Sequence, residues 1–352
     1  TYTSLSSGSG SIIVESEPSA DIVSAFAGTG SLRFSTVDGD LQVQQAITEV
    51  GNIVLLSGGQ GLVLVGNAIA GGQIRIQSGT AVAELDDDPD ADLRGHQIAI
   101  QAVTGIGTAA GAIEVDGIDL TLAALTATGG IHLQALENVF VGQVAEFQGL
   151  RISDPGDMNP ATSISLGAGG VISVVSSIEN LAHGLVALTA GQDIFQEAQT
   201  RIVTGGNGLI SLIAGVSQQG SLPGSIQMTE GAVISSQQGQ ISLRAAGDVV
   251  LAEVLSLSGD ISIEAGNGGA IGSIVDNSVE ETLNLATNGL LTLRASTNIG
   301  GPDSQQDLNV QVFGLQATAG SGGIYVRSAD FLRIHKSGLQ TLGGAGDILV
   351  TT

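Results

Sequence analysis

The chain has no cysteine and no tryptophan, two tyrosines, six prolines, and ten Lys and Arg against 34 Asp and Glu. Each shortage excludes a class of protein. Without cysteine there is no disulfide scaffold, no thiol nucleophile and no Cys-ligated zinc. A formal net charge of -24, with Lys336 as the one lysine, cannot supply the basic surface that nucleic acid requires. The acidity is not that of a disordered tail, because 42% of the residues are hydrophobic and Val, Ile and Leu are abundant. Glycine stands at the other extreme. It accounts for 53 of 352 residues, a density that argues against long helices.

What is present is a repeat: Gly, a residue or two, then apolar-x-apolar, often followed by x-Ala. It reads Ile98-Ala-Ile-Gln-Ala102, Ile131-His-Leu-Gln-Ala135, Ile164-Ser-Leu-Gly-Ala168 and Val186-Ala-Leu-Thr-Ala190. It continues as Ile210-Ser-Leu-Ile-Ala214, Ile241-Ser-Leu-Arg-Ala245, Ile261-Ser-Ile-Glu-Ala265 and Leu291-Thr-Leu-Arg-Ala295. Looser copies begin at Ile12, Leu32, Ile53, Ile74, Ile113, Ile226, Ile324 and Ile348. From Ile12 to Ile348 this makes about 15 intervals averaging roughly 22 residues, within the range of repeat architectures.

Strict alternation marks strands with one buried and one wet face. The flanking glycines supply the turns. Short strands at such a period fit a right-handed parallel β-helix, a single all-β solenoid running over 1–352 in about 16 coils. Propeller blades would carry aromatic signatures that are missing here. The alternation places Ile241, Leu243, Ile261, Ile263, Leu291 and Leu293 inside, with alanine at the last, crowded inward position. Three stretches exceed one coil: Leu136 to Ser163, Gly266 to Asn288 and Ser296 to Gly322. Each is expected to hold an unmarked coil together with a loop. Residues 53–74 carry no charge, but Ser57-Gly-Gly-Gln-Gly61 and Gly71-Gly72 break the run into two buried strands, so no membrane insertion is expected. The chain starts at Thr1 and shows no signal peptide, which suggests a processed chain or a segment of a longer one.

Gly239-Gln-Ile-Ser-Leu-Arg-Ala-Ala-Gly-Asp248 and Gly259-Asp-Ile-Ser-Ile-Glu-Ala-Gly266 resemble the repeats of filamentous-haemagglutinin-type bacterial surface proteins. The resemblance runs from about Ile12 to Val350. It implies a secreted protein whose right-handed β-helical shaft serves in adhesion or as a fibre. That family also has an N-terminal secretion domain with Asn-Pro-Asn motifs. This chain shows only Asn159-Pro160, in its middle, so a shaft segment is what the resemblance covers.

Chemistry-bearing residues are few. The loop Glu84-Leu-Asp-Asp-Asp-Pro-Asp-Ala-Asp92 is the densest charge cluster, and Asp86, Asp88, Asp90 and Asp92 offer hard oxygen ligands for Ca²⁺. Ala91 and Gln97 depart from an EF-hand, and the competing reading is a solvated acidic loop. Gly105-Ile-Gly-Thr-Ala-Ala110 matches a dinucleotide fingerprint as a string, but a strand follows where a helix is required, so it reads as a corner. Arg333-Ile-His335-Lys336, the Asp38, Asp40 pair, and the scattered His96, His132, His183 and His335 give no catalytic set. With no Trp and only Tyr2 and Tyr325, the chain also offers a sugar little to stack on. The expectation is a non-catalytic structural or adhesive shaft at a bacterial cell surface. It would join end to end with itself or continue into flanking solenoid, and would meet host or cell-surface glycans or proteins. The alternatives are a glycan-acting β-helix enzyme, separable by incubation with polysaccharides, and a Ca²⁺-dependent binding module, separable by calorimetry.

Overall fold

A computed structural model describes residues 1–86, 88–156, 162–216, 223–278, 282–303, 306–328, 330–343 and 346–352. The chain is an all-β parallel β-solenoid of about 14 turns. Among the described residues the one helical element is a 3₁₀ turn at Asn267–Gly269. The solenoid forms two compact units, the first ending at Ala168 and the second running from Gly169 to Thr352.

In the first unit one face is a stack of strands Ile12–Ser16, Leu32–Thr36, Ile53–Ser57, Gln73–Ser78, Gln97–Ala102 and Thr121–Thr126. The register is in-line: Ile12, Leu32, Ile53, Ile74, Ile98 and Leu122 form one inward column, all but Ile12 fully buried. In the second unit two inward columns are Val186, Ile210, Ile241, Ile261, Leu291, Leu315 and, two residues on, Leu188, Leu212, Leu243, Ile263, Leu293, Ala317. Alanine closes this face at Ala190, Ala214, Ala245, Ala265, Ala295 and Ala319. All six expected inward residues, from Ile241 to Leu293, have no exposed surface.

The turn count is lower than the 16 expected because one motif marks more than one face of the same turn. Ile194, Ile226, Val249 and Ile274 stack with one another on a face separate from that of Ile210, Ile241 and Ile261. The short Ile226-to-Ile241 spacing is therefore two faces of one coil. Ile113 likewise stacks on Leu133, a strand that Ile131 opens. Alternation reports that a strand has an inner side, and every face of a solenoid satisfies it equally.

Two polar ladders hold the corners, and neither was anticipated. At strand ends a buried hydroxyl bonds a glycine carbonyl of the preceding turn: Thr48 Oγ1 to Gly30 O at 2.6 Å, Ser236 Oγ to Gly208 O at 2.9 Å, Ser256 Oγ to Gly239 O at 3.1 Å. The same oxygens accept the N–H of the glycine three residues on, at Gly51, Gly239 and Gly259. This satisfies buried corner groups that the strand ladder leaves over. At strand starts, a short polar side chain accepts the N–H of its counterpart one turn later. Ser31 N–H donates to Ser11 Oγ, Asn52 N–H to Ser31 Oγ and Gln73 N–H to Asn52 Oδ1. In the second unit Ser225, Asp248 and Ser273 N–H donate to Asp193, Ser225 and Asp248 side chains. The glycines are needed for approach: a Cβ on Gly259 would run into the Gly239 carbonyl.

The three long stretches each hold coil strand, at Val139–Val141 and Leu150–Ile152, at Ile274–Asp276 and at Leu308–Ala319, and the first also holds the expected excursion. Leu136 to Ser163 contains Val139–Val141 and Leu150–Ile152, between which Gln143–Val144 and Phe147–Gln148 form a small antiparallel hairpin. It folds onto the outward Ala99 and Ala123, burying Val144 and Phe147. Arg75 lies over the Phe147 ring at 5.3 Å and pairs with Glu146. Asp157 to Pro160, Glu280 and Glu281 lie outside the described residues.

Candidate functional site

The acidic loop leaves the solenoid after strand Ala81–Glu84 and re-enters at Leu93–Arg94. Register fixes both ends. Glu84 pairs opposite Val65, and Leu93 lies between Ala68 of the previous turn and Val115 of the next. Ala68 N–H donates to Asp92 O at 2.7 Å. Asp92 is therefore pinned into the wall at 5% exposure, next to Glu114 of strand Ile113–Asp116.

Asp86, Asp88 and Asp90 point elsewhere. All three are exposed, and Asp90 N–H donates to Asp88 Oδ1 at 2.8 Å in a local turn. Among the described residues, the group of three or more carboxylates with oxygens within 4.8 Å of one another is Glu84, Asp92 and Glu114. The four loop aspartates thus do not converge. Asp92 joins instead two glutamates brought in by the stacking of turns. Glu84 sat at the edge of the charged run and Glu114 inside an ordinary strand motif. Their proximity follows from strand register, for which the local sequence carries no signal.

The electrostatics are those of crowded acids. Asp92 is raised from the usual carboxylate range to about 8. Burial is the main cause. The Glu114 backbone N–H, donating to Asp92 Oδ2 at 3.0 Å, opposes it, while the Glu114 and Glu84 carboxylates add to it. Glu114 Oε2 and the nearby Asn67 Oδ1 are enclosed with no hydrogen-bond partner. Gly111 leaves room for Glu84, since a Cβ there would strike Glu84 Oε1. Such a set can hold a proton on Asp92, or exchange it for a hard cation bound by oxygen. It does not match glycoside hydrolysis. That chemistry needs two carboxyl groups facing a sugar from about 5 to 9.5 Å apart, and Asp92 is sealed in the wall.

The other residues considered are dispersed. Asp40 Oδ1 accepts Leu62 N–H at 2.9 Å and Asp38 Oδ1 accepts Gln60 N–H at 3.4 Å, so both brace the following turn. Gly105–Ile106 leads through Gly107, at φ +60, into strand Ile113–Asp116, the corner that was expected. His132 sits on the outward side of its strand, half-buried, with its pKa lowered by that burial. Arg333 stacks over Phe313 at 6.0 Å on an exposed strand. His96 Nδ1 lies 2.8 Å from Ile118 O, beside the Arg94–Asp116 ion pair, in a shallow trough of about 450 Å³ that also includes Glu49 and Glu137. No helix among the described residues is long and apolar enough to cross a membrane.

Comparison of the chain with protein-family models, with curated proteins and with solved structures returns no match.

Proposed function

We propose that the chain is a non-catalytic structural shaft of a bacterial surface fibre or adhesin of the filamentous-haemagglutinin type, acting outside the cell. The supporting observation is the unbroken register of inward columns such as Val186 to Leu315, in which each turn is bonded to the next along its strands. A shaft needs this distributed bonding and no reactive centre. The spread of titratable groups over corners and ladders agrees with that. The ends of such a shaft join like coils, either flanking solenoid or another copy, and glycans or proteins of a surface are its remaining partners. Electron microscopy of the purified chain is expected to show elongated particles, and incubation with neutral and anionic polysaccharides to release no product. Release of oligosaccharides would overturn the non-catalytic reading in favour of a glycan-acting enzyme.

A second reading, cation-dependent stiffening, is favoured by the approach of Glu84, Asp92 and Glu114 within 4.8 Å. Ca²⁺ there would replace the proton on Asp92 and relieve the repulsion. Calorimetry with Ca²⁺ is expected to give a signal that survives Asp86→Asn, Asp88→Asn, Asp90→Asn together and is lost in Glu84→Gln, Glu114→Gln. The reverse pattern would return the site to the exposed loop, and no signal would remove it.

A further inference from the structure

We propose that Asn267 is a site of self-modification: its side-chain amide cyclises with the Gly268 nitrogen and hydrolyses to aspartate and isoaspartate while the chain stays folded. The inference is independent of the shaft reading, and its co-reactant is water.

The chemistry selects the candidates. It needs an asparagine followed by a residue whose backbone nitrogen can reach the side-chain Cγ, and glycine, with no Cβ, hinders that approach least. Asn-Gly occurs three times, at Asn207, Asn267 and Asn288, and Asn-Ser once, at Asn277. The glycine nitrogen gives its proton to hydroxide and bonds to Cγ. The Cγ–N bond of the side-chain amide breaks, and the departing nitrogen takes a proton from water and leaves as ammonia. Water then opens the five-membered imide. Breaking the new nitrogen–Cγ bond gives aspartate, and breaking the bond to the backbone carbonyl carbon gives isoaspartate, with the main chain rerouted through the side chain.

The fold holds three of the four candidates still. Gly208 is buried, its N–H donates to Gly205 O at 2.9 Å and its carbonyl accepts Ser236 Oγ, so the nucleophile after Asn207 is tied on both sides. Asn288 Nδ2 donates to Leu257 O at 2.8 Å and Gly289 N–H to Thr287 Oγ1 at 2.8 Å. Asn277 Nδ2 donates to Met228 O at 2.8 Å and Ser278 N–H to Asp276 Oδ1 at 2.7 Å. In these two pairs both the amide and the attacking nitrogen are engaged.

Asn267 differs. Its side chain makes no hydrogen bond among the described residues. It opens the 3₁₀ turn Asn267–Gly269, where Gly266, Gly268 and Gly269 have φ of +76, +73 and +87. Gly268 and Gly269 are exposed, and a Cβ on either would meet nothing within 4 Å. The carbonyl that a 3₁₀ bond from Gly268 N–H would need, Ala265 O, accepts Ser296 N–H at 3.1 Å. Amide, nucleophile and glycine hinges are therefore free to turn. The turn hangs between two fixed points, Gly266 N–H on Gly247 O at 3.0 Å and Gly272 N–H on Ser296 Oγ at 2.8 Å. The modification stays local. It adds one negative charge, and in the iso form one main-chain carbon, close to the exposed Ile271, and leaves strands Ile261–Ala265 and Ile274–Asp276 in register.

Peptide mapping by mass spectrometry, after incubation of the folded chain in heavy-oxygen water at mildly alkaline pH, tests this. The peptide carrying Asn267 is expected to take up label first, with Asn207, Asn277 and Asn288 at least about tenfold slower, the factor for opening one hydrogen bond. In the urea-unfolded chain the three Asn-Gly pairs should react at similar rates. Asn267→Gln keeps an amide but lengthens the ring it must close, and should abolish labelling there with circular dichroism and melting unchanged. An Asn267 that stays unlabelled in the folded chain overturns the proposal. So do folded rates at Asn207 or Asn288 that match Asn267, or an equal preference for Asn267 after unfolding.

Discussion

The backbone N–H of Glu114 donates to Asp92 Oδ2 at 3.0 Å, and the carboxylate of the same glutamate repels the Asp92 charge that this N–H attracts. The repulsion and the burial prevail, and Asp92 holds its proton up to about pH 8. The sign of the consequence follows. An unfolded aspartate ionises near pH 3.9, so between about 4 and 8 the folded chain binds a proton that the unfolded chain has lost. This group's contribution to stability is greatest below about pH 4 and falls as pH rises to about 8, by at most about 1.4 kcal/mol for each pH unit. Many other carboxylates titrate in parallel, so the measurement is a difference. Asp92→Asn is expected to melt less pH-dependently than the wild-type chain between pH 5 and 8, and to gain on it most at pH 8.

The inward columns predict a graded response at Ile261, which stacks between Ile241 and Leu291. Ile261→Val should cost about 0.5 to 1.5 kcal/mol through one lost methyl group. Ile261→Asp buries a carboxylate with no partner and should cost several times more. Denaturant unfolding of both variants checks this, and equal midpoints for the two would refute the register.

Glycine contributes through close approach at some corners and not at others. Gly259→Ala forces a Cβ against the Gly239 carbonyl and should destabilise by more than about 1 kcal/mol. At Gly8 a Cβ meets nothing within 4 Å, and Gly8→Ala should change the melting temperature little.

The corner hydroxyls predict a third comparison. Ser236 Oγ is buried and donates to Gly208 O while accepting from Gly239 N–H. Ser236→Ala strands both and should cost about 1 to 3 kcal/mol. Ser236→Thr should be tolerated, because Thr204 makes the equivalent bond to Gly184 O at 2.8 Å. Thermal melts of the two variants side by side provide the check.

Phe147→Ala should release the small hairpin from Ala99 and Ala123, since Phe147 supplies both its apolar anchor and the ring under Arg75. Limited proteolysis is expected to cut the variant between Gly142 and Gly149 before the wild-type chain, with the far-ultraviolet circular dichroism unchanged. Equal resistance would show that the hairpin is held by other contacts.

Alternation and glycine by themselves determined that the chain is all-β, that it repeats, and which side of each strand faces inward, because those properties depend on neighbours two residues apart. Ile241, Leu243, Ile261 and Ile263 could be placed inside on that basis alone. Which strand lies on which face was a tertiary decision. Ile226 and Ile241 carry the same pattern yet belong to different columns, since closure of a turn depends on corner geometry set by residues such as Ser236, Gly239 and Gly208. The carboxylate cluster shows the same division. The sequence could mark a run of acids from Glu84 to Asp92, but it took stacking to set Glu114, 22 residues from Asp92, against that carboxyl and to leave Asp86, Asp88 and Asp90 in solvent. In a solenoid, contacts one turn apart are fixed by strand register, and register depends on the length of every intervening corner.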